Sequence, residues 1–284
     1  MKRSLILAAA ALLSAAAAQA ACLSDAEVAA MMDAYAKRQP AANPEGLSLA
    51  DGECTRAKVN ALLRAQMGAP VGYKAGLTNP AVQKRFEADA PVWGTLYGPM
   101  LLKSGAVVDA AFGARPLFEA DLLVRVSSEA INRASNADEV LKAIDQVIPF
   151  IELPDLVVQV PAPPKLNGAG ITAINVGARL GVMGAPIGVA GNAELGNALR
   201  DMVAVVKGDG AELDRGKGSD VLGHPLNAVV WLAKDMARGG QAMKVGDLIS
   251  LGSFSKLMPP KPGLAVEVQY LGLPGNPVVN VSFK

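Results

Sequence analysis

The chain has one histidine, His224, in 284 residues. A zinc site built on imidazoles therefore has no second ring to recruit, and His224, lying just before Pro225, suits a loop or capping role. It has two cysteines, Cys22 and Cys54. A nucleophilic cysteine needs a nearby base, and His224 is far off in sequence. Neither sign of charge is in excess: 27 Lys and Arg stand against 26 Asp and Glu, for a formal net charge of +1. Such a chain lacks the electrostatic footprint of a nucleic-acid binder. Beyond the first twenty residues there is no long apolar run, internal repeat, coiled coil or low-complexity tract.

The first twenty residues read as a processing signal. Lys2 and Arg3 form a basic start, residues 5–18 are apolar, and Ala18-Gln19-Ala20 has the small-x-small pattern of a cleavage site. A membrane anchor is the competing reading, but the run is short and no basic stop-transfer cluster follows. A lipidated Cys22 is a poorer fit, because Gln19 stands where a leucine is wanted. Cleavage would leave residues 21–284, soluble and without a membrane span, in a periplasmic or secreted location. An oxidising compartment favours a Cys22–Cys54 disulfide over free thiols.

The rest reads as α+β. Ser24 with Glu27 gives a capping box for a helix over 24–37, and a second helix is expected over 55–67. Residues 71–77 alternate like a strand, and 78–86 start a short helix. Short β-like runs follow at 94–96, 117–126, 150–153, 157–160, 171–176, 187–189, 202–207, 247–251, 265–270 and 278–283. Helices are expected at 137–147 and 225–237. Many short strands with few helices argue for a mixed sheet rather than a doubly wound one. Residues 21–90 form a helical N-terminal cap in this reading, and 91–284 the main domain.

Glu119 and Asp121 are separated by one residue within an apolar strand, so their side chains share a face. Two buried like charges are costly unless something cancels them, and a divalent cation with oxygen ligands would do so. Glu152 sits in a second apolar run and would complete a three-carboxylate set. The plain alternative is that each acid lies on the wet face of an amphipathic strand. Lys74 is the only charge in residues 71–77. It is either an edge-strand lysine facing water or an ammonium aimed at an anionic substrate. Gly252-Ser253 follows a strand and offers N–H groups and a hydroxyl to a carboxylate, although an ordinary turn looks the same.

These pieces occur together in a known order. Gly72-Tyr73-Lys74-Ala75-Gly76-Leu77-Thr78, Val92-Trp93-Gly94, Glu119-Ala120-Asp121, Glu152, Gly223-His224-Pro225-Leu226-Asn227-Ala228 and Lys261-Pro262-Gly263 resemble the 2-oxopent-4-enoate hydratase and 4-oxalocrotonate decarboxylase family. The resemblance implies a fold like fumarylacetoacetate hydrolase, a mixed β-roll with a helical N-terminal part. It implies Mg²⁺ or Mn²⁺ held by Glu119, Asp121 and Glu152, Lys74 as the catalytic group, and Thr78, Asn175 and Ser253 as substrate-binding residues. The implied partner is a small 2-keto acid, and the implied assembly a homo-oligomer. The implied activity is a lyase: a hydratase of 2-hydroxydienoates, with a decarboxylase or an exported, non-catalytic keto-acid binder as alternatives. Two departures stand out. Asp121 replaces a Glu, and Ile174-Asn175-Val176-Gly177 replaces Asp-Asn-Ala-Ser.

Overall fold

The structure is a computed structural model that describes residues 22–159 and 166–284. The expected signal segment and the last residue of the 157–160 run lie outside the described residues. The elements are, in order, α1 (Asp25–Lys37), α2 (Leu49–Met67), β1 (Pro70–Gly76), α3 (Pro80–Arg85), β2 (Val92–Tyr97), β3 (Leu101–Lys103), β4 (Ala106–Val108) and β5 (Glu119–Val126). Then come α4 (Ala137–Leu141), β6 (Ile144–Leu153), α5 (Gly168–Ala173), β7 (Leu180–Met183), β8 (Ile187–Gly188) and α6 (Leu195–Asp201). The chain ends with β9 (Val203–Gly208), β10 (Ala211–Lys217), α7 (Asn227–Arg238), β11 (Leu248–Ser250), β12 (Ala265–Leu271) and β13 (Val278–Phe283).

Two mixed sheets form the body, as the α+β reading expects. The larger runs β2-β1-β11-β5-β6-β7-β3, with β8 also beside β6; the smaller runs β10-β9-β12-β13-β4. Most pairings are antiparallel, but β1–β11, β3–β7 and β4–β13 are parallel. Each face of the larger sheet is buried under its own core. On one face Ala120, Leu122, Val124 and Val126 of β5 join β12 and α7 through Val266, Val268, Tyr270, Val229 and Leu232. On the other, Leu123, Ile148 and Phe150 meet the cap through Val28, Met31, Met32, Val59 and Leu63 of α1 and α2. Alternation along β5 thus sends successive side chains into different cores.

The cap is tied down at its start. Ser24 and Glu27 form the expected capping box. A second box, Ser48 with Asp51, starts α2 at Leu49, well before the expected residue 55. Cys22 and Cys54 form a disulfide with Cα atoms 5.6 Å apart, joining the first described residue to α2. The cap gives way to the sheet at residue 70 rather than 90, because β1 pairs with both β2 and β11.

Of the expected 157–160 strand the described residues form only an isolated bridge, Val158 with Ala41, and two further expected elements change type. The 137–147 helix stops at Leu141, and residues from Ile144 onward pair with β5 along its length. Cross-strand packing of Val147, Ile148 and Ile151 there outweighs a local helical period. Residues 171–176, expected as a strand, form the end of α5 and a following turn. Asn167 caps α5 by accepting from Gly170 N at 2.9 Å. Every residue of α5 is buried, so the apolar run carries no period to read.

Candidate active site

Strand register gathers the candidate residues. Glu119 lies opposite Glu152 across the β5–β6 pair, and Asp121 is two residues along the same face. Lys74 pairs with Ser250 across β1–β11, and Ser250 with Leu123 across β11–β5. Paired residues share a face, so Lys74, Ser250, Asp121, Glu119 and Glu152 all project to the cap side of the larger sheet. All five are buried, Asp121 and Ser250 completely. Lys74 and Glu119 form the floor of a cleft of about 580 Å³, walled by Leu77, Phe86, Leu156, Ile171 and Val176, with Thr78 and Ser253 beside the floor.

Each charged group has a defined set of partners. The Lys74 ammonium donates to Glu152 Oε1 and, at 2.9 Å, to the Val176 carbonyl. Asp121 Oδ1 accepts from Leu122 N at 2.6 Å, Leu251 N at 3.2 Å and Gly252 N at 3.0 Å, while Oδ2 accepts from the Ser250 hydroxyl. Burial, then the charge of Glu152, pushes the Glu119 carboxyl well above the usual range; Lys74 and the Ser253 hydroxyl oppose this. Asp121 is raised well above its ordinary value by the same two causes, against the pull of Ser250 and Leu122 N. Three acids face one ammonium in a site of low dielectric, so that if all were ionised two negative charges would exceed what Lys74 cancels.

That excess, on oxygen donors only, fits a hard divalent cation. The donors do not yet converge: among the described residues no three Asp, Glu, His or Cys side chains form a ready-made metal-binding group. Lys74 occupies Glu152, both Asp121 oxygens are engaged, Oδ1 by backbone N–H groups and Oδ2 by the Ser250 hydroxyl, and neither Asp121 nor Glu152 lines the cleft.

Thr78 and Ser253 stand where a substrate carboxylate could reach them, although the Ser253 hydroxyl also donates to Ser255 O at 2.5 Å. Asn175, expected to bind substrate, is not among the residues that line the cleft. Its amide is spent on the edge of β2, accepting from Thr95 N at 2.8 Å and donating to Thr95 O at 3.0 Å. His224 keeps its loop role: Nδ1 accepts from Leu226 N at 3.1 Å and Nε2 lies 3.0 Å from Gly196 O. Asp155 anchors a loop by accepting from Ala114 N and Arg115 N.

Three contributors escaped the sequence reading. Ser250, which grips Asp121, was open to detection as a lone hydroxyl inside an apolar strand. The Val176 carbonyl carries no side-chain signature. Arg85 lines the cleft mouth, stacked 5.7 Å over the Phe86 ring and, among the described residues, without a carboxylate partner. The other mouth cations are engaged, Arg215 by Glu212 and Lys256 by Asp214.

No protein-family model matches the chain. Among curated proteins it is 30% identical over 217 residues to the 2-keto-4-pentenoate hydratase of Paraburkholderia xenovorans strain LB400, covering 76% of this chain and 78% of that one. It is 28% identical over 203 residues to a 4-oxalocrotonate decarboxylase of Pseudomonas putida, covering 72% and 74%. Among solved structures, the 4-oxalocrotonate decarboxylase from P. putida G7 complexed with magnesium and adipate superposes with a TM-score of 0.80 at 25% identity, over 92% of this chain and 97% of that one. Fumarylpyruvate hydrolase from Pseudomonas aeruginosa, in complex with Mn²⁺ and pyruvate, shares the fold at a TM-score of 0.54 and 11% identity, over 75% and 89%. Identity at this level across more than three quarters of a relative places the chain in the 2-keto-4-pentenoate hydratase and 4-oxalocrotonate decarboxylase family, within the fumarylacetoacetate hydrolase fold.

Proposed function

We propose that this chain is a divalent-metal-dependent lyase that adds water to the conjugated double bond of a small 2-hydroxydienoate, the enol form of a 2-keto acid. One observation carries the reading: Lys74 and three carboxylates project from one buried sheet face, with Lys74 and Glu119 at the floor of a cleft. Glu119, Asp121 and Glu152 would hold Mg²⁺ or Mn²⁺. When bound, the cation would supply Lewis acidity toward the keto and carboxylate oxygens of the substrate. Lys74, with two N–H bonds committed to Glu152 and Val176, keeps a third for a proton at the reacting carbons. Thr78 and Ser253 would orient the substrate, and the apolar walls would limit the water that reaches the floor.

The test is direct. Purified protein with Mg²⁺ or Mn²⁺ should remove the ultraviolet band of 2-hydroxypenta-2,4-dienoate, and Lys74→Ala should not. Tight binding of the dienoate without loss of the band would instead support a keto-acid binder.

Arg85 favours a second reading. An unpaired guanidinium at the mouth suits a substrate with a distal carboxylate, as 4-oxalocrotonate has, and the related decarboxylase structure holds adipate, also a dicarboxylate. Release of CO₂ from 4-oxalocrotonate, faster than dienoate hydration and weakened in Arg85→Gln, would decide for decarboxylation.

We also propose export and self-association. The Cys22–Cys54 disulfide is compatible with an oxidising compartment, and among the described residues no helix is long and apolar enough to cross a membrane. N-terminal sequencing of the native protein should begin at Ala21, and its mass in solution should exceed that of one chain.

A further inference from the structure

Lys74 is held in part by a stretch of backbone that ordinary residues avoid. Asn175, Val176 and Gly177 all have positive φ, at 55°, 54° and 66°. For a β-branched residue such as Val176 this is a true outlier, and strain of this kind persists only where the surroundings enforce it. The turn delivers the Val176 carbonyl to Lys74 Nζ at 2.9 Å. What enforces it is visible. β2 is an edge strand of the larger sheet, and the Asn175 amide closes on its open N–H and C=O at Thr95. Asn60 of α2 donates to Asn175 Oδ1 at 3.1 Å, and Tyr97 Oη donates to Asn60 Oδ1 at 3.0 Å. Two glycines leave the room required. A Cβ on Gly94 would lie 2.4 Å from Asn175 O, and one on Gly76 2.5 Å from Val176 Cγ1.

We propose that Asn175 is a positioning residue for Lys74: its amide clamps the edge of β2 and so holds the left-handed turn whose Val176 carbonyl fixes the ammonium. This rests on Lys74 acting in the proposed reaction. With the clamp gone, the turn relaxes toward ordinary backbone angles. The carbonyl then withdraws, and Lys74 is left to Glu152 alone.

The experiment compares steady-state turnover of 2-hydroxypenta-2,4-dienoate by the intact chain and four variants. Asn175→Ala should lower kcat by roughly tenfold or more with KM nearly unchanged, since a displaced catalytic group costs rate rather than binding. Asn60→Ala, which lies outside the cleft, should lower kcat by a smaller factor and keeps the test open where Asn175→Ala fails to fold. Adding Val176→Gly to Asn175→Ala should restore most of the lost kcat, because glycine adopts positive φ without a clamp. A merely structural asparagine would shift thermal stability and leave kcat per folded molecule untouched, with no rescue by glycine. Lys74→Ala in the same assay separates the two layers. If it is dead while Asn175→Ala and Asn60→Ala keep full kcat, the positioning proposal is overturned and the functional reading stands. If Lys74→Ala keeps full activity, both are overturned.

Discussion

The two faces of β5 make opposite use of one strand. Ala120, Leu122, Val124 and Val126 point into a fully apolar core, while Glu119 and Asp121 point, equally buried, at another acid and a lysine. The apolar face gains stability from every methylene it removes from water. The acidic face opposes folding, since burial and mutual repulsion raise both carboxyls far above their ordinary values. A buried strand with one such face is shaped by what it binds, and the neighbouring face supplies the stability that the site consumes.

The largest effect that could break this comparison is kinetic. Lys74→Ala should abolish turnover, while Leu122→Ala should leave kcat per folded molecule intact and cost about 2–5 kcal/mol of stability in denaturant unfolding. Equal loss of rate in both would erase the distinction between the faces. A disulfide contrast comes next. Cys54→Ser opens a loop of sequence separation 32, costing about 3–4 kcal/mol on the chain-entropy account, with no change in metal affinity. A change of sign sharpens the comparison further. In a chelator, Glu119→Gln should raise the melting temperature by a few degrees, as one buried charge is removed; with divalent cation present the same variant should be the less stable protein. A fall in the chelator would show that Glu119 is an ordinary structural acid.

The smallest expected effect lies outside both faces. Burial lowers the His224 pKa below 6.5, and Nδ1 already accepts from Leu226 N, so a second ring proton has no acceptor there. The unfolded ring binds a proton more readily than the folded one. His224 therefore adds stability above about pH 6.5 that is lost as pH falls toward the lower folded pKa. His224→Gln should flatten that slope in unfolding curves taken between pH 5 and 8.

Much of this was legible beforehand for physical reasons. The i, i+2 spacing of Glu119 and Asp121 fixes a shared face on any strand, and Ser24 with Glu27 announces a helix start. Ser48 with Asp51 is the same device with a shorter acid, which hid the true start of α2. The Asp209-Gly210 turn between β9 and β10 was available as a hairpin signature, but β10 is mostly exposed and polar, so no apolar alternation marked it. Ile171 to Val176 misled because β-branched residues buried on every side look alike in helix and strand. Asn175 was read as touching substrate because it lies in the family's pattern; its bond to the edge of β2 depends on a contact eighty residues away that no local pattern encodes.

The account depends most on the buried acids taking a divalent ion, and calorimetric titration of chelator-treated protein with Mg²⁺ and Mn²⁺ measures that without any assumption about substrate. One site per chain is expected, weakened roughly a hundredfold or more in Glu152→Gln, where a charged oxygen ligand is lost from a dry site. Absence of binding in the wild type, or equal affinity in the variant, would contradict it.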